Sequence, residues 1–203
     1  MVMKLLAHDL LWGMPLPAEA PDWVFEVLGD NHPVVVRRGI VAAGQVAVGI
    51  RGQRREQRYA ASMPQAAITR RLSPEQLIDV QGTHDWPALQ ALAQLRPLLQ
   101  ARGLVWGVAG SAGHELASGM AALHAGSDLD LIIRTPVPVS RQWAADLVAA
   151  LDNAVCRVDV QLQLPAGGLA LREWAGSARQ VLLKTDQGAQ LLSDPWQPLQ
   201  ACA

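Results

Sequence analysis

The chain has 203 residues, half of them hydrophobic, with 17 Lys and Arg against 18 Asp and Glu for a formal net charge of −1. That length holds one domain or two small ones, and the apolar share is enough for a real core. The balanced charge argues against a general nucleic-acid binder, and no apolar run reaches the roughly 18–20 residues needed to span a bilayer.

His8 and Asp9 interrupt the short apolar stretch at the N-terminus, so no secretion signal is expected there and the cytoplasm is the expected compartment. Cys156 and Cys202 give neither metal-ligand spacing nor a disulfide framework; Cys156 is expected to be a small buried hydrophobe. The seven Trp residues, against one Phe and one Tyr, are scattered along the chain, which fits packing anchors better than a stacking platform. No internal repeat is visible.

Residues 1–80 read as a separate, smaller unit. Val34–Arg38 and Val41–Ile50 are predicted strands joined by a turn at Arg38-Gly39. The glycines of Gly49-Ile50-Arg51-Gly52 lead into Arg54, Arg55 and Arg58. Ser73-Pro74-Glu75 opens a helix, with Ser at the N-cap and Pro at the first helical position. From residue 81 a second unit is expected to run to the C-terminus. Thr83–Gln100 is helical in pattern, with Leu89, Leu92, Leu95 and Leu99 on one stripe, and Gly103 suits its exit. Leu104–Val108 is the next strand. It runs into the turn Gly110-Ser111, and a helix follows near Ala112.

Gly126-Ser127-Asp128-Leu129-Asp130 then leads into another apolar strand. Residues i and i+2 of a strand point to the same face, so Asp128 and Asp130 stand side by side. Two such carboxylates repel each other unless a cation sits between them, and hard oxygen ligands of this kind suit Mg²⁺ with substrate phosphates. Ser140 can cap a helix carrying Trp143, Leu147 and Leu151, which Asn153 can end. The next segment alternates, with Val158, Val160, Leu162 and Leu164 facing a core and Asp159, Gln161 and Gln163 facing the other way. Paired beside the first strand, it would add Asp159 as a third carboxylate for a metal-assisted transfer. Gly167-Gly168 is predicted as a loop and Leu169–Trp174 as a further element. Val181–Lys184 and Ala189–Leu192 make a hairpin about Thr185–Gly188, and an irregular tail begins at Asp194.

Backbone N–H groups at Gly110-Ser111, with the Ser111 hydroxyl, can hold phosphate oxygens. Arg51, Arg54, Arg55 and Arg58 are candidate phosphate cations, and Lys184 beside the hairpin turn is another. Asp159 can serve both as a metal ligand and as a general base. His114 and His124 flank the segment and are expected to be structural; His8 is a weaker candidate still.

The order of apolar strand, Gly110-Ser111 turn, helix, Asp128/Asp130 strand and later Asp159 strand resembles the nucleotidyltransferase superfamily typified by DNA polymerase beta. The interval from Ser111 to Asp128 is longer than the usual form. Over nearly the whole chain, the sequence is more closely similar to the malonate decarboxylase holo-acyl-carrier-protein synthases, a family of phosphoribosyl-dephospho-CoA transferases. The similarity runs through His8–Trp12, Pro33–Arg38, Gly49–Arg55, Trp106–Gly119 and His124–Asp130. It implies an α+β fold: a nucleotidyltransferase-like mixed sheet with flanking helices over 81–203, and a smaller α+β substrate-binding domain over 1–80. It further implies the donor 2′-(5″-triphosphoribosyl)-3′-dephospho-CoA, a serine of the malonate decarboxylase acyl carrier protein as acceptor, and pyrophosphate as leaving group. Asp128, Asp130 and Asp159 would be the catalytic and Mg²⁺-binding set, with Gly110, Ser111, Arg51, Arg54, Arg55 and Lys184 on the substrate. The alternatives are a nucleotidyltransferase for another acceptor and a non-catalytic nucleotide-binding module.

Overall fold

The computed structural model describes residues 4–54 and 56–197. Arg55 and Cys202, both discussed above, lie outside those residues. The described residues form a mixed α/β structure with two sheets and five α-helices.

The first sheet is antiparallel and five-stranded. Its strands are β1 (Leu10–Trp12), β2 (Val34–Val36), β3 (Gln45–Arg51), β4 (Arg58–Pro64) and β5 (Arg70–Leu72), in the order β4-β3-β2-β1-β5. Helix α1 (Asp22–Gly29) buries Val24 and Val27 against Leu11, Val34, Val48 and Met63. The strand expected from Val41 begins only at Gln45. The reversal is made by Ala43-Gly44, where Gly44 has φ +77°, and not by Arg38-Gly39. A left-handed turn residue is cheap only for glycine, so the hairpin bends there.

The second sheet has six strands: β6 (Trp106–Val108), β7 (Leu129–Arg134), β8 (Val158–Leu164), β9 (Gly167–Ala170), β10 (Val181–Thr185) and β11 (Gly188–Leu192). They lie in sequence order across the sheet, and of these only β7 and β8 pair in parallel. A parallel pair needs a crossover, supplied here by α4 (Arg141–Leu151). The Ser140 side chain accepts the Trp143 N–H at 3.0 Å, as an N-cap should, and Asn153 Nδ2 donates to the Ala149 carbonyl at 3.0 Å at the far end. Leu129, Leu131 and Ile133 of β7 join Val158, Val160 and Leu162 of β8 in a core with α4 and α2 (Pro87–Ala101). The opposite face of both strands is left for Asp130, Asp159 and Gln161.

Three expected elements differ in detail. Helix α2 starts at Pro87 and not at Thr83, because Pro takes the first helical position and holds Trp86 extended at ψ 145°. The turn opened by Ser73 is a short 3₁₀ segment, Pro74–Leu77, in which Gln76 Oε1 accepts the Ser73 N–H at 2.8 Å. Gly167 and Gly168 are not a loop. They pair with Leu164 and Gln163 as the start of β9, the reversal having been made by Pro165-Ala166.

The seven Trp residues pack in or against the two cores, and none lines the main cleft. Arg70 covers Trp12 at 4.4 Å, and Trp174 meets Trp196 edge-on at 5.1 Å.

The 3₁₀ segment is seated on β6 at Gly107, where a Cβ would overlap the backbone of Pro74 and Glu75. Gly107→Ala should therefore cost roughly 1–3 kcal/mol, a melting-temperature loss of about 3–10 °C by thermal unfolding. An unchanged melting temperature would show that this backbone contact is absent in solution.

Candidate active site

Between the two sheets lies a cleft of about 1180 Å³, with Asp128 and Asp130 on one wall and Arg51 on the other. The parallel register places Asp130 directly opposite Asp159. Asp159 opens into an adjoining smaller cavity shared with Asp130. The three carboxylates predicted from the sequence are thus brought to one face of neighbouring strands. Burial, then the charges of Asp128 and Asp159, push the Asp130 carboxyl up to about 6, with Arg51 opposing. Asp159 is engaged by Arg157, whose Nε donates to Oδ1 at 3.0 Å. Among the described residues, no group of three or more His, Cys, Asp or Glu side chains is close enough together to hold a metal ion by itself.

Helix α3 (Gly110–Ser118) starts at this cluster. The Ala109 N–H donates to the Asp130 carbonyl at 2.9 Å, which ties the helix start to β7. Gly110 has φ +59°, and a Cβ there would overlap the Asp130 carboxylate. Only glycine lets the turn lie this close. Gly110 and Ser111 both line the cleft.

The long interval between the two motifs has a structural use. Helix α3 ends at Gly119, φ +72°, and Glu115 Oε2 then accepts the N–H groups of Ala122 and Leu123, each at 2.8 Å. Ser127 Oγ accepts the His124 N–H at 3.0 Å. The extra residues form a tied-down loop that contributes Ala122 and His124 to the cleft wall. His124 accepts the Gly126 N–H at Nδ1, 3.1 Å away, so it orders this loop.

Arg51 donates to the Ala122 carbonyl at 3.3 Å, while its buried Nε has no partner. Its pKa is lowered to about 10 by burial and by Arg58, so it stays cationic. Beside it, His114 is 1 % exposed, and neither ring nitrogen has a partner. Burial, then Arg51, His32 and Arg58, bring its pKa down to about 4. A neutral buried imidazole with two unused nitrogens is costly unless a ligand uses them. That makes His114 a stronger site candidate than its position in the sequence suggested. Arg58 also lines the cleft. Arg54 is exposed and does not line it. Lys184 on β10 lines both cavities. Cys156 is half-buried at the rim, and burial pushes its thiol up, which does not suit a nucleophile.

Sequence reasoning passed over Arg38 and Gln163. Arg38 Nη1 donates to Gln161 Oε1 at 3.1 Å and Nη2 to Gln163 Oε1 at 2.5 Å. His8 Nε2 meets the same Gln161 Oε1 at 2.9 Å. The face of β8 beyond Asp159 is therefore the seam where the first sheet grips the second, and not a solvated edge. The alternation put both glutamines on this face but could not say what covers them. No helix among the described residues is long and apolar enough to cross a membrane.

Comparison with known proteins agrees with this architecture. The family model described as the Phosphoribosyl-dephospho-CoA transferase MdcG N-terminal domain matches residues 6–74, and that described as the MdcG C-terminal domain matches residues 76–195. The chain is 61% identical over 204 residues to a phosphoribosyl-dephospho-CoA transferase of Pseudomonas syringae pv. tomato, covering 98% of this chain and 97% of the relative. It is 58% identical to one of Pseudomonas fluorescens Pf-5, covering 98% and 97%. To one of Azotobacter vinelandii it is 52% identical, covering 96% and 95%. No solved structure matches. Two family models laid end to end, and close identity over almost the full length of such relatives, show that this chain belongs to the phosphoribosyl-dephospho-CoA transferase family.

Proposed function

We propose that this chain transfers the phosphoribosyl-dephospho-CoA group from 2′-(5″-triphosphoribosyl)-3′-dephospho-CoA to a serine of the acyl carrier protein of malonate decarboxylase. The reaction is of the nucleotidyltransferase kind. The observation that carries this reading is the facing register of Asp130 and Asp159, with Asp128 two residues away and a glycine turn against them.

The carboxylate wall suits Mg²⁺, which commonly takes one or two protein carboxylates and completes its shell with phosphate oxygens and water. Asp128 and Asp130 would hold it, with Asp159 as the third ligand. When bound, the ion neutralises charge on the triphosphate. The remaining work falls to positioning, as is usual for phosphoryl transfer. Gly110 and Ser111 at the start of α3 offer N–H groups and a hydroxyl to the phosphates. Arg51 and Arg58 supply positive charge from the facing sheet, and the neutral ring of His114 offers its one unused N–H. Asp159 accepts the proton of the attacking serine hydroxyl. The serine oxygen bonds to the α-phosphorus, the bond to the β-phosphate bridge breaks, and the electron pair leaves with pyrophosphate.

The direct test is intact-mass spectrometry of the apo carrier protein after incubation with this chain, Mg²⁺ and the triphosphoribosyl donor. A mass gain equal to the phosphoribosyl-dephospho-CoA group, lost on adding EDTA, is expected. No gain with folded protein and intact donor would leave another acceptor to be sought, and AMP attached to a product when ATP replaces the donor would favour a different nucleotidyl transfer.

Asp130→Asn should abolish transfer, a loss of at least about 10³-fold in turnover. The same variant should be more stable than the parent. The Asp130 carboxyl is raised from 3.8 to about 6 in the folded chain, so the fold is favoured while this group is protonated and loses that advantage as pH rises through about 6. Metal-free Asp130→Asn should thus melt a few degrees higher at pH 7.5, with the difference closing towards pH 4. A variant that keeps near-parental turnover, or melts lower at pH 7.5, would contradict this role for the carboxylate.

A further inference from the structure

We propose that the cleft carries a second anion subsite, built by His8, Arg38 and Lys184 on the Asp159 side of the carboxylates, and that it takes the diphosphate of the donor's dephospho-CoA moiety. The inference rests on the donor reading above.

The chain goes to some length to place these groups. His8 is one of two non-glycine residues, among those described, with positive φ, at +77°. The turn holding it is fixed by Asp9, which is fully buried, accepts the Leu6 N–H at 2.8 Å and pairs with Arg71 at 2.8 Å. A left-handed non-glycine residue costs energy and persists where surrounding contacts enforce it. The result is an imidazole on the cleft wall, 2.9 Å from Gln161.

Arg38 is held by neutral acceptors. Its two terminal nitrogens go to the amide oxygens of Gln161 and Gln163, and among the described residues it forms no ion pair with a carboxylate. Gln163 Nε2 also donates to Gln161 Oε1, at 2.7 Å, so that one oxygen receives Gln163, Arg38 and His8 together. The amides orient the guanidinium without neutralising it, and the charge of Asp186 acts on it only from beyond ion-pair distance. Gly168 makes room for this arrangement: a Cβ there would lie 2.6 Å from Gln161 Oε1 and 2.7 Å from Arg38 Nη2. Lys184 pairs with Gly168 across β10 and β9 and lines both cavities, and its side chain makes no hydrogen bond or ion pair among the described residues.

A guanidinium and an ammonium on one wall, neither in an ion pair, recognise an anion of more than one charge, while the His8 ring spends its N–H on Gln161 and holds that amide under Arg38. Burial lowers the His8 pKa first, and Arg38, Arg134 and Lys184 lower it further, as expected if these cations crowd one place. Arg134 is already paired with Glu75 at 2.7 Å, which leaves Arg38 and Lys184 for a ligand. An extended small molecule can reach a half-buried guanidinium between two sheets, whereas a folded carrier protein cannot. The carrier's serine has the exposed rim at Asp128 and Arg157. With the triphosphate held near Gly110 and Arg51, a second diphosphate on the opposite side of Asp130 would distinguish this donor from a nucleoside triphosphate, which has none to offer.

The test is calorimetric binding of two probes, 3′-dephospho-CoA and inorganic tripolyphosphate, to the full chain. Lys184→Gln and Arg38→Gln should each weaken dephospho-CoA roughly 10-fold and leave tripolyphosphate within about twofold, while Arg51→Gln should do the reverse. Lys184 is exposed on its strand, so its variant keeps the test sound if Arg38→Gln fails to fold. Unchanged dephospho-CoA affinity in Lys184→Gln would overturn the subsite, as would an equal loss for both probes. If the parental chain binds no dephospho-CoA, the subsite is also overturned, and the mass gain on the carrier decides separately whether the donor reading falls with it.

Discussion

Asp130 stands opposite Asp159 with Asp128 two residues away, and burial withholds part of Asp130 from water. Like charges in such a place favour protonation of one of them or capture of a cation. Much of the surrounding structure keeps this repulsion from being relieved otherwise. Parallel pairing of β7 and β8 fixes the register, and α4 makes that pairing possible. Gly110 brings the start of α3 against the carboxylate where any side chain would push it away. Arg51 faces the cluster from the other sheet and remains charged. A strained carboxylate of this kind costs stability and gains a place for positive charge, the usual trade at a site that works on phosphates.

The division of labour between the sheets follows from the same electrostatics. The second sheet supplies the carboxylates, while the first supplies Arg51, Arg58, Arg38 and His8. The seam is polar and made of named bonds: Arg38 to Gln161 and Gln163, His8 to Gln161, and Arg51 to the Ala122 carbonyl. Neither sheet has a complete site alone. The 3₁₀ segment Pro74–Leu77, seated on β6 at Gly107, continues the chain directly from β5 into the second core, where Leu77 is buried. That short tether sets how the two walls face each other.

What was legible in the sequence was local and periodic. The alternation from Val158 to Leu164 announced a strand with Asp159 on its polar face, and Ser140 with Leu147 and Leu151 announced the crossover helix. Together they carried the facing of Asp130 and Asp159. What was not legible depended on distant contacts or on one backbone angle. Gln161 and Gln163 look like a wet edge until Arg38 arrives from more than a hundred residues away. His8 looks like a residue in a broken apolar run, and only its left-handed φ turns the ring into the cleft. Val41 and Ala42 are apolar enough for a strand but precede the glycine that makes the turn. His114 carries no pattern at all; its two unpartnered nitrogens appear only once the helix is packed.

The measurement closest to the centre of this account is the titration of the Asp130 carboxyl by carbon-13 NMR, with and without Mg²⁺ and tripolyphosphate. The account requires a midpoint near 6 in the metal-free chain, against an ordinary value of 3.8, and a fall towards or below that ordinary value once the cation and the phosphates are present. A midpoint already at the ordinary value, unmoved by either addition, would mean that the carboxylates do not oppose one another and that the cleft is not built around a cation.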